Sequence, residues 1–270
     1  MRKIRFDRWK DGKARVLTMS YDDGVFQDRR LVEIFNKYGI KGSFHLNGGL
    51  LDEPSGRTVS AEEVATLYAG HEVSAHSLTH PFLERVSTAE VVSEMLEDRR
   101  VLEKACGYPV RGMSYPMGTY NDEVLKVLPT LGIRYARTTK ATRKLDLPNS
   151  FLEWHPTCHH NDEALFELLE KFKNNKYPMP MLYVWGHSYE FDRNENWERI
   201  EQFCEQASGI EDCWYATNIE IYDYVMALRA LEFSADRDMV YNPTATDVWI
   251  RVDSEACMIP AGKLTRLGAN

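Results

Sequence analysis

The chain is 270 residues long and 43% hydrophobic, enough for one large domain or two small ones with a sizeable core, which excludes a disordered protein. Its 41 acidic residues against 33 basic ones leave a formal net charge of -8. No run of five or more basic residues occurs, so neither nucleic acid nor an anionic membrane is an expected partner.

The opening stretch, MRKIRFDRWKDGKARVL, is charged and lacks the apolar centre of a signal peptide. No apolar run reaches the ~18 residues of a membrane span, so a cytoplasmic protein is expected. Cys106, Cys158, Cys204, Cys213 and Cys257 are scattered, odd in number and without a CxxC pair. That usage fits reduced thiols, not a disulfide framework or a cysteine zinc site.

Strand and helix patterns alternate along the chain. ARVLTMS (14–20) reads as a strand, and QDRRLVEIFNKYG follows with Leu31, Ile34, Phe35 and Tyr38 at helical spacing. GSFHLN (42–47) is a second strand. The next helix opens with the capping pair Ser60 and Glu63 and stops at Gly70. HEVSAHS (71–77) is a third strand, and the helix after it repeats the capping pair with Ser87 and Glu90 and ends at Gly107.

VRGMSYP (110–116) is a fourth strand, followed by a helix near 121–131. IRYART (133–138) is a fifth. Residues 139–158 read mostly as loop, and a helix spans roughly 161–174. MPMLYVWGHS (179–188) is a sixth strand, a helix covers 194–207, CWYATN (213–218) is a seventh strand, and IEIYDYVMALRAL is the last helix. Seven β–α units with short connections imply an α/β fold with a parallel sheet, closed or nearly closed into a barrel; a doubly wound open sheet is the alternative. Residues 236–270 change character to short alternating stretches with turn residues, a few β-strands appended to a barrel domain of residues 1–235.

The unusual polar residues fall at the ends of these strands. Asp22 and Asp23 end the first, His76 the third with His80 four residues on in HSLTH, SYPMG the fourth, and His187 in WGHS the sixth. In a β/α barrel the carboxyl ends of all strands meet at one face, so these residues should converge. On a helical turn the two HSLTH imidazoles would face one side, and two histidines with one of the two aspartates make a three-ligand divalent metal site. A cation neutralising one acid also explains why two adjacent carboxylates close a buried strand. Taken singly, an HxxxH spacing fits a surface pair and a DDG fits a turn or helix cap. Their joint placement at strand ends is what argues for a site.

SYDDG, HSLTH, SYPMG and YVWGH resemble, in order, the motifs of the polysaccharide deacetylase family (NodB homology domain, carbohydrate esterase type), whose usual forms are TFDDG, H-[ST]-x-x-H, R-x-P-[YF] and L-x-H. The resemblance runs from about residue 14 to 225. It implies a distorted (β/α)7 barrel that hydrolyses N- or O-acetyl groups of a carbohydrate. It implies Asp22 as general base, Asp23, His76 and His80 as ligands of a divalent metal (zinc first, with cobalt, nickel, manganese or iron as alternatives), and His187 as general acid. A backbone N–H near Tyr115 would hold the oxyanion.

The chain departs from the family where its arginine should pair with the base, since Ser114 stands there. Arg137 at the end of the fifth strand is the expected substitute, because Arg111 would point the other way on a regular strand. Trp154 is the nearest candidate for a missing pocket tryptophan. Tyr189, Glu190, Asp192 and Trp197 after His187 offer sugar contacts. The cluster of His155, Cys158, His159 and His160 reads as loop decoration, not as a second metal site. Two rivals stand beside the deacetylase reading: a barrel that binds glycans without turnover, and a hydrolase of a non-sugar amide. A metal phosphoesterase is weaker, since no Gly-rich anion loop or arginine cluster supports it.

Overall fold

The strand Arg15–Asp22 is buried at all 8 positions, as a parallel strand covered on both faces must be, and it is the centre of the fold. The structure is a computed structural model that describes residues 2–267. In chain order its elements are β1 (Ile4–Arg5), β2 (Arg15–Asp22), α1 (Asp28–Tyr38), β3 (Gly42–Leu46), α2 (Val64–Leu67), β4 (Glu72–Ala75), α3 (Thr88–Cys106), β5 (Gly112–Ser114), α4 (Asp122–Val127) and β6 (Tyr135–Arg137). They continue with β7 (Cys158–His159), α5 (Leu165–Lys173), β8 (Met181–Gly186), α6 (Tyr189–Arg193), α7 (Trp197–Ala207), β9 (Cys213–Tyr215) and α8 (Asn218–Arg229). The tail holds β10 (Glu232–Phe233), β11 (Met239–Tyr241), β12 (Val248–Val252), β13 (Glu255–Ile259) and β14 (Leu264–Arg266).

The main sheet runs β6-β5-β4-β3-β2-β8-β7, all parallel, and curls into a distorted (β/α)7 barrel with the helices around it. Residues 154–160 join its two edges. Trp154 bridges Arg137 of β6 in parallel, while the Thr157 and His160 N–H groups donate to the Tyr183 and Trp185 carbonyls of β8. This corrects the expectation of a loop over 139–158 and of 213–218 as the seventh barrel strand. The closing strand is two residues long and carries no period-2 signal. Strand β9 pairs only with Arg15–Leu17 of β2, on the part of that edge that β3, starting its pairing at Met19, leaves open.

The Ser87–Glu90 capping box forms, and Gly107 closes α3 in the left-handed conformation. The helix expected from Ser60 shrinks to α2, although Glu63 accepts from the Ser60 N–H and hydroxyl as Glu90 does from Ser87. The helix expected over 194–207 begins at Trp197 as α7, and a further short helix, α6, precedes it, parted from it by left-handed Glu195 (φ 49°). In the tail, β12 pairs with β1 and β13, and β11 with β10 and β14, all antiparallel. These small sheets thus take strands from both sides of residue 235. A core cluster holding Val248, Ile250 and Ile259 together with Val16 and Met181, near the amino ends of β2 and β8, packs the tail on that end of the barrel. The carboxyl ends are left to the polar residues.

Candidate active site

Successive strand residues point to opposite faces, so Asp22 and Asp23 on a regular strand would face apart. Asp23 instead has φ 79°, and Gly24 φ 60°, so the chain turns as β2 ends. The turn brings both carboxylates to one imidazole: His76 Nε2 lies 3.9 Å from Asp22 Oδ2 and 3.6 Å from Asp23 Oδ1. A non-glycine residue in this region is strained, and such strain gathers at sites that need the geometry.

HSLTH is not a helical turn. His76 follows β4 directly, and the loop bends through left-handed Ser77 (φ 62°) and His80 (φ 62°). Asn47 Nδ2 donates to the carbonyls of His76 and Ser77, and buried Asp98 accepts the His76 N–H. The loop still brings the two Nε2 atoms within 3.1 Å, with His80 Nε2 3.8 Å from Asp23 Oδ1.

The donor chemistry fits a cation. His76 Nδ1 faces the Ser114 carbonyl at 2.9 Å; a carbonyl only accepts, so that nitrogen carries the proton and Nε2 keeps its lone pair. Burial is the main influence on His76 and lowers its pKa, so the neutral, ligating form is favoured despite Asp22 and Asp23. Two imidazoles and one carboxylate whose donor atoms lie within 4.8 Å of one another match a divalent metal site with open positions.

Asp22 is buried and gripped from two sides. Arg137 meets Oδ2, and the Ser114 hydroxyl donates to Oδ1 at 3.0 Å. Burial alone would raise the Asp22 pKa. Arg137, then His76, His45 and His187, outweigh it and hold the carboxyl well below the usual carboxylate range. His187 stands across from it, its Nε2 4.0 Å from Asp22 Oδ2. Burial would lower the His187 pKa, but Glu190, Asp22 and Asp23 reverse that and raise it. The site thus sets an ionised carboxylate opposite an imidazole that favours its protonated form.

Residues 10–136 match the family described as polysaccharide deacetylase. Over these residues, just under half of the chain, the protein is similar to the polysaccharide deacetylase family. Among curated relatives, the chitooligosaccharide deacetylase of Bradyrhizobium sp. (strain ANU 289) is 29% identical over 125 residues, 44% of this chain and 54% of the relative. The peptidoglycan-N-acetylmuramic acid deacetylase PdaC of Bacillus subtilis is 26% identical over 116 residues, 42% of this chain and 24% of the relative. The chain thus spans about half of the first relative and a quarter of the second. A Mycobacterium smegmatis structure assigned as a polysaccharide deacetylase superposes with a TM-score of 0.61 at 17% identity, covering 82% of this chain and 93% of that one. A CE4 family pseudoenzyme from Bacillus anthracis reaches 0.50 at 20% identity, covering 77% and 65%. Both share the fold.

Within this fold the remaining expected residues divide. Arg111 points outward and pairs with Asp223, whereas Arg137, with no exposed surface, reaches Asp22. Trp154 was expected to line the pocket; it is fully buried among Tyr135, Phe151 and Tyr183 and offers substrate no surface. Trp197 packs on Phe191 under Arg30, its indole N–H on Asp192. The Tyr115 side chain is buried, its hydroxyl donating to the Leu152 carbonyl, and its backbone N–H donates to the Arg137 carbonyl. The Tyr115 N–H is thus not free to meet a ligand. Pro116 has no N–H, and those of Gly118 and Thr119 donate within the turn, which leaves Met117. Tyr189 is half-buried, its ring 5.1 Å from that of His187.

Sequence reasoning treated Ser114 only as a missing arginine and Glu190 only as a sugar contact. Glu190 sits three residues after His187, one helical turn on in α6, and that spacing was the available signal. No helix among the described residues is long and apolar enough to cross a membrane.

Proposed function

We propose that this protein is a divalent-metal-dependent hydrolase that removes N- or O-acetyl groups from a carbohydrate such as an oligosaccharide or sugar derivative. The observation that carries this reading is the convergence of Asp23, His76 and His80 beside a buried, ionised Asp22 with His187 opposite. The deacetylase names of the curated relatives support the substrate class.

Asp23, His76 and His80 would hold the cation, with zinc the first choice for two imidazoles and a carboxylate. When bound, a divalent metal supplies Lewis acidity, lowering the pKa of water and polarising the acetyl carbonyl. Asp22 accepts the proton of the attacking water, oriented by Arg137 and Ser114. The Met117 N–H meets the negative charge that develops on the carbonyl oxygen. His187, protonated, gives its Nε2 proton to the leaving nitrogen or oxygen, which cannot depart readily as an anion. Half-buried Tyr189 offers a ring face to the sugar.

A second reading is a barrel that binds glycans without turnover. Ser114 at the family's arginine position and the fold shared with a pseudoenzyme favour it. Against it, Arg137 supplies the missing contact to Asp22. Hydrolysis of a non-sugar amide would use the same groups.

The test is acetate release from a panel of acetylated oligosaccharides, with added zinc or cobalt and again with chelator, for the parent protein and Asp22→Asn. Chelator-sensitive release lost in the variant supports the deacetylase. Glycan binding equal in both proteins, without release, supports the binding barrel. Bound metal with neither release nor glycan binding points to a non-sugar amide.

A further inference from the structure

Outside the Asp23, His76 and His80 group, His159, His160 and Glu190 also bring their donor atoms within 4.8 Å of one another. His159 Nε2 lies 2.9 Å and His160 Nε2 3.1 Å from the same oxygen, Glu190 Oε2. The residue types are those of a zinc site, but the proton positions differ from those at His76. His159 Nδ1 accepts the Asn161 N–H at 3.1 Å, so its ring proton sits on Nε2, facing the carboxylate. To ligate through Nε2 that proton would have to move to Nδ1, against another N–H. Arg193 also approaches Glu190, 3.0 Å from Oε1, where a second cation would be repelled. The group is a carboxylate at ion-pair distance from two imidazoles, without the lone-pair arrangement seen at His76.

The oxygen that accepts from Arg193, Oε1, also faces His187. The His187 ring has Nε2 toward Asp22 at 4.0 Å and Nδ1 toward Glu190 Oε1 at 3.7 Å. That Nδ1 is buried and has no hydrogen-bond partner. We propose that Glu190 is the positioning residue for His187: it accepts a hydrogen bond from the Nδ1–H, fixes the ring with Nε2 toward the reacting atoms, and is itself flanked at ion-pair distance by His159 and His160. The inference rests on the reading of His187 as the acid.

The support for Glu190 is built for rigidity. His160 has no exposed surface and is stacked between Tyr21 at 5.6 Å and Phe191 at 4.2 Å. Its ring fills the space beside Gly186, where a Cβ would come within 2.0 Å of Nδ1. Glycine directly before His187 is therefore required by the imidazole that supports Glu190. Burial pushes the His160 pKa down to about 4, so it stays neutral. The charged and titratable groups facing His187 are Asp22 and Asp23 from the end of β2, Tyr189 and Glu190 from α6, His159 from β7 and His160 just after it. Among the described residues only Glu190 lies on the Nδ1 side at ion-pair distance. A gap of 3.7 Å suits a contact that tightens when substrate fills the site.

The experiment is a histidine nitrogen NMR titration of the full chain loaded with zinc, with His187→Asn used to assign the signal. In the parent, His187 should be the Nδ1–H tautomer when neutral. In Glu190→Gln the opposing charge is gone, so the His187 pKa should fall by about one unit or more and the tautomer preference should relax. Glu190→Asp should fall between the two, which keeps the test open if Glu190→Gln folds poorly. An unchanged His187 titration and tautomer in a folded Glu190→Gln protein overturns the proposal. A second readout separates it from the deacetylase reading. Acetate release from acetylated oligosaccharides should fall by on the order of 10²-fold in Glu190→Gln, while release from p-nitrophenyl acetate, whose leaving group needs no acid, should change little. If His187→Asn leaves release from the oligosaccharides untouched, the acid role fails, whatever the titration shows.

Discussion

Arg137 lies against Asp22 inside the barrel with no exposed surface, its guanidinium 4.4 Å above the ring of Trp185. The two residues are 115 positions apart and meet because β6 and β2 end at the same face. A buried carboxylate without this partner would be protonated or unstable. Replacing Arg137 with Met should cost roughly 3–5 kcal/mol, the usual penalty for breaking a buried pair. It should also raise the pKa of the Asp22 carboxyl, moving the acid limb of any rate profile to higher pH. Arg137→Lys keeps charge without the planar fork and should lie between. Denaturant melts and pH–rate profiles check both.

Metal content separates ligands from base. His76→Ala, His80→Ala and Asp23→Ala should each lower bound zinc from about one equivalent toward none. Asp22→Asn should keep the metal and lose acetate release by on the order of 10²- to 10⁴-fold. Elemental analysis beside the release assay checks this. Equal metal loss in all four variants would mean that Asp22 ligates instead of acting as base.

Glu72 gives a pH prediction away from the site. It is buried and accepts from Ser43, Tyr135 and the Ile219 N–H, yet burial dominates and raises its pKa to about 7. A folded-state pKa above the unfolded one gives stability that is complete below the unfolded carboxylate range and lost as pH rises through about 7. Glu72→Gln removes that titration. Its Tm should therefore fall less than the parent's between pH 5 and pH 8, as thermal melts across that range would reveal.

Trp154 and Tyr189 should behave oppositely. Trp154→Ala should cost roughly 3–5 kcal/mol by leaving a core cavity, with KM unchanged in the folded fraction. Tyr189→Ala should leave Tm nearly unchanged and raise KM for an oligosaccharide by about tenfold, the scale of one lost stacking contact. Melts and steady-state kinetics on the same preparations test both.

Local order was legible in the chain itself. The alternation of apolar strands and amphipathic helices specifies a parallel sheet covered by helices, with a barrel and a doubly wound open sheet both compatible, since both periods follow from backbone geometry and a continuously apolar strand such as β2 must be covered on both faces. SYDDG, HSLTH and WGH at strand ends named Asp22, Asp23, His76, His80 and His187 as a candidate set, because carboxyl ends of parallel strands share a face. Tertiary structure alone decided the rest. It put the two-residue β7 in the ring instead of β9, paired β1 with the tail, and bent HSLTH through left-handed residues instead of a helical turn. It brought Arg137 to Asp22, buried Trp154, and turned His159, His160 and Glu190 into a support beside His187. Each of these depends on contacts between distant segments, whose cost in loop closure and gain in burial are set by the packed whole and leave no periodic trace in the chain.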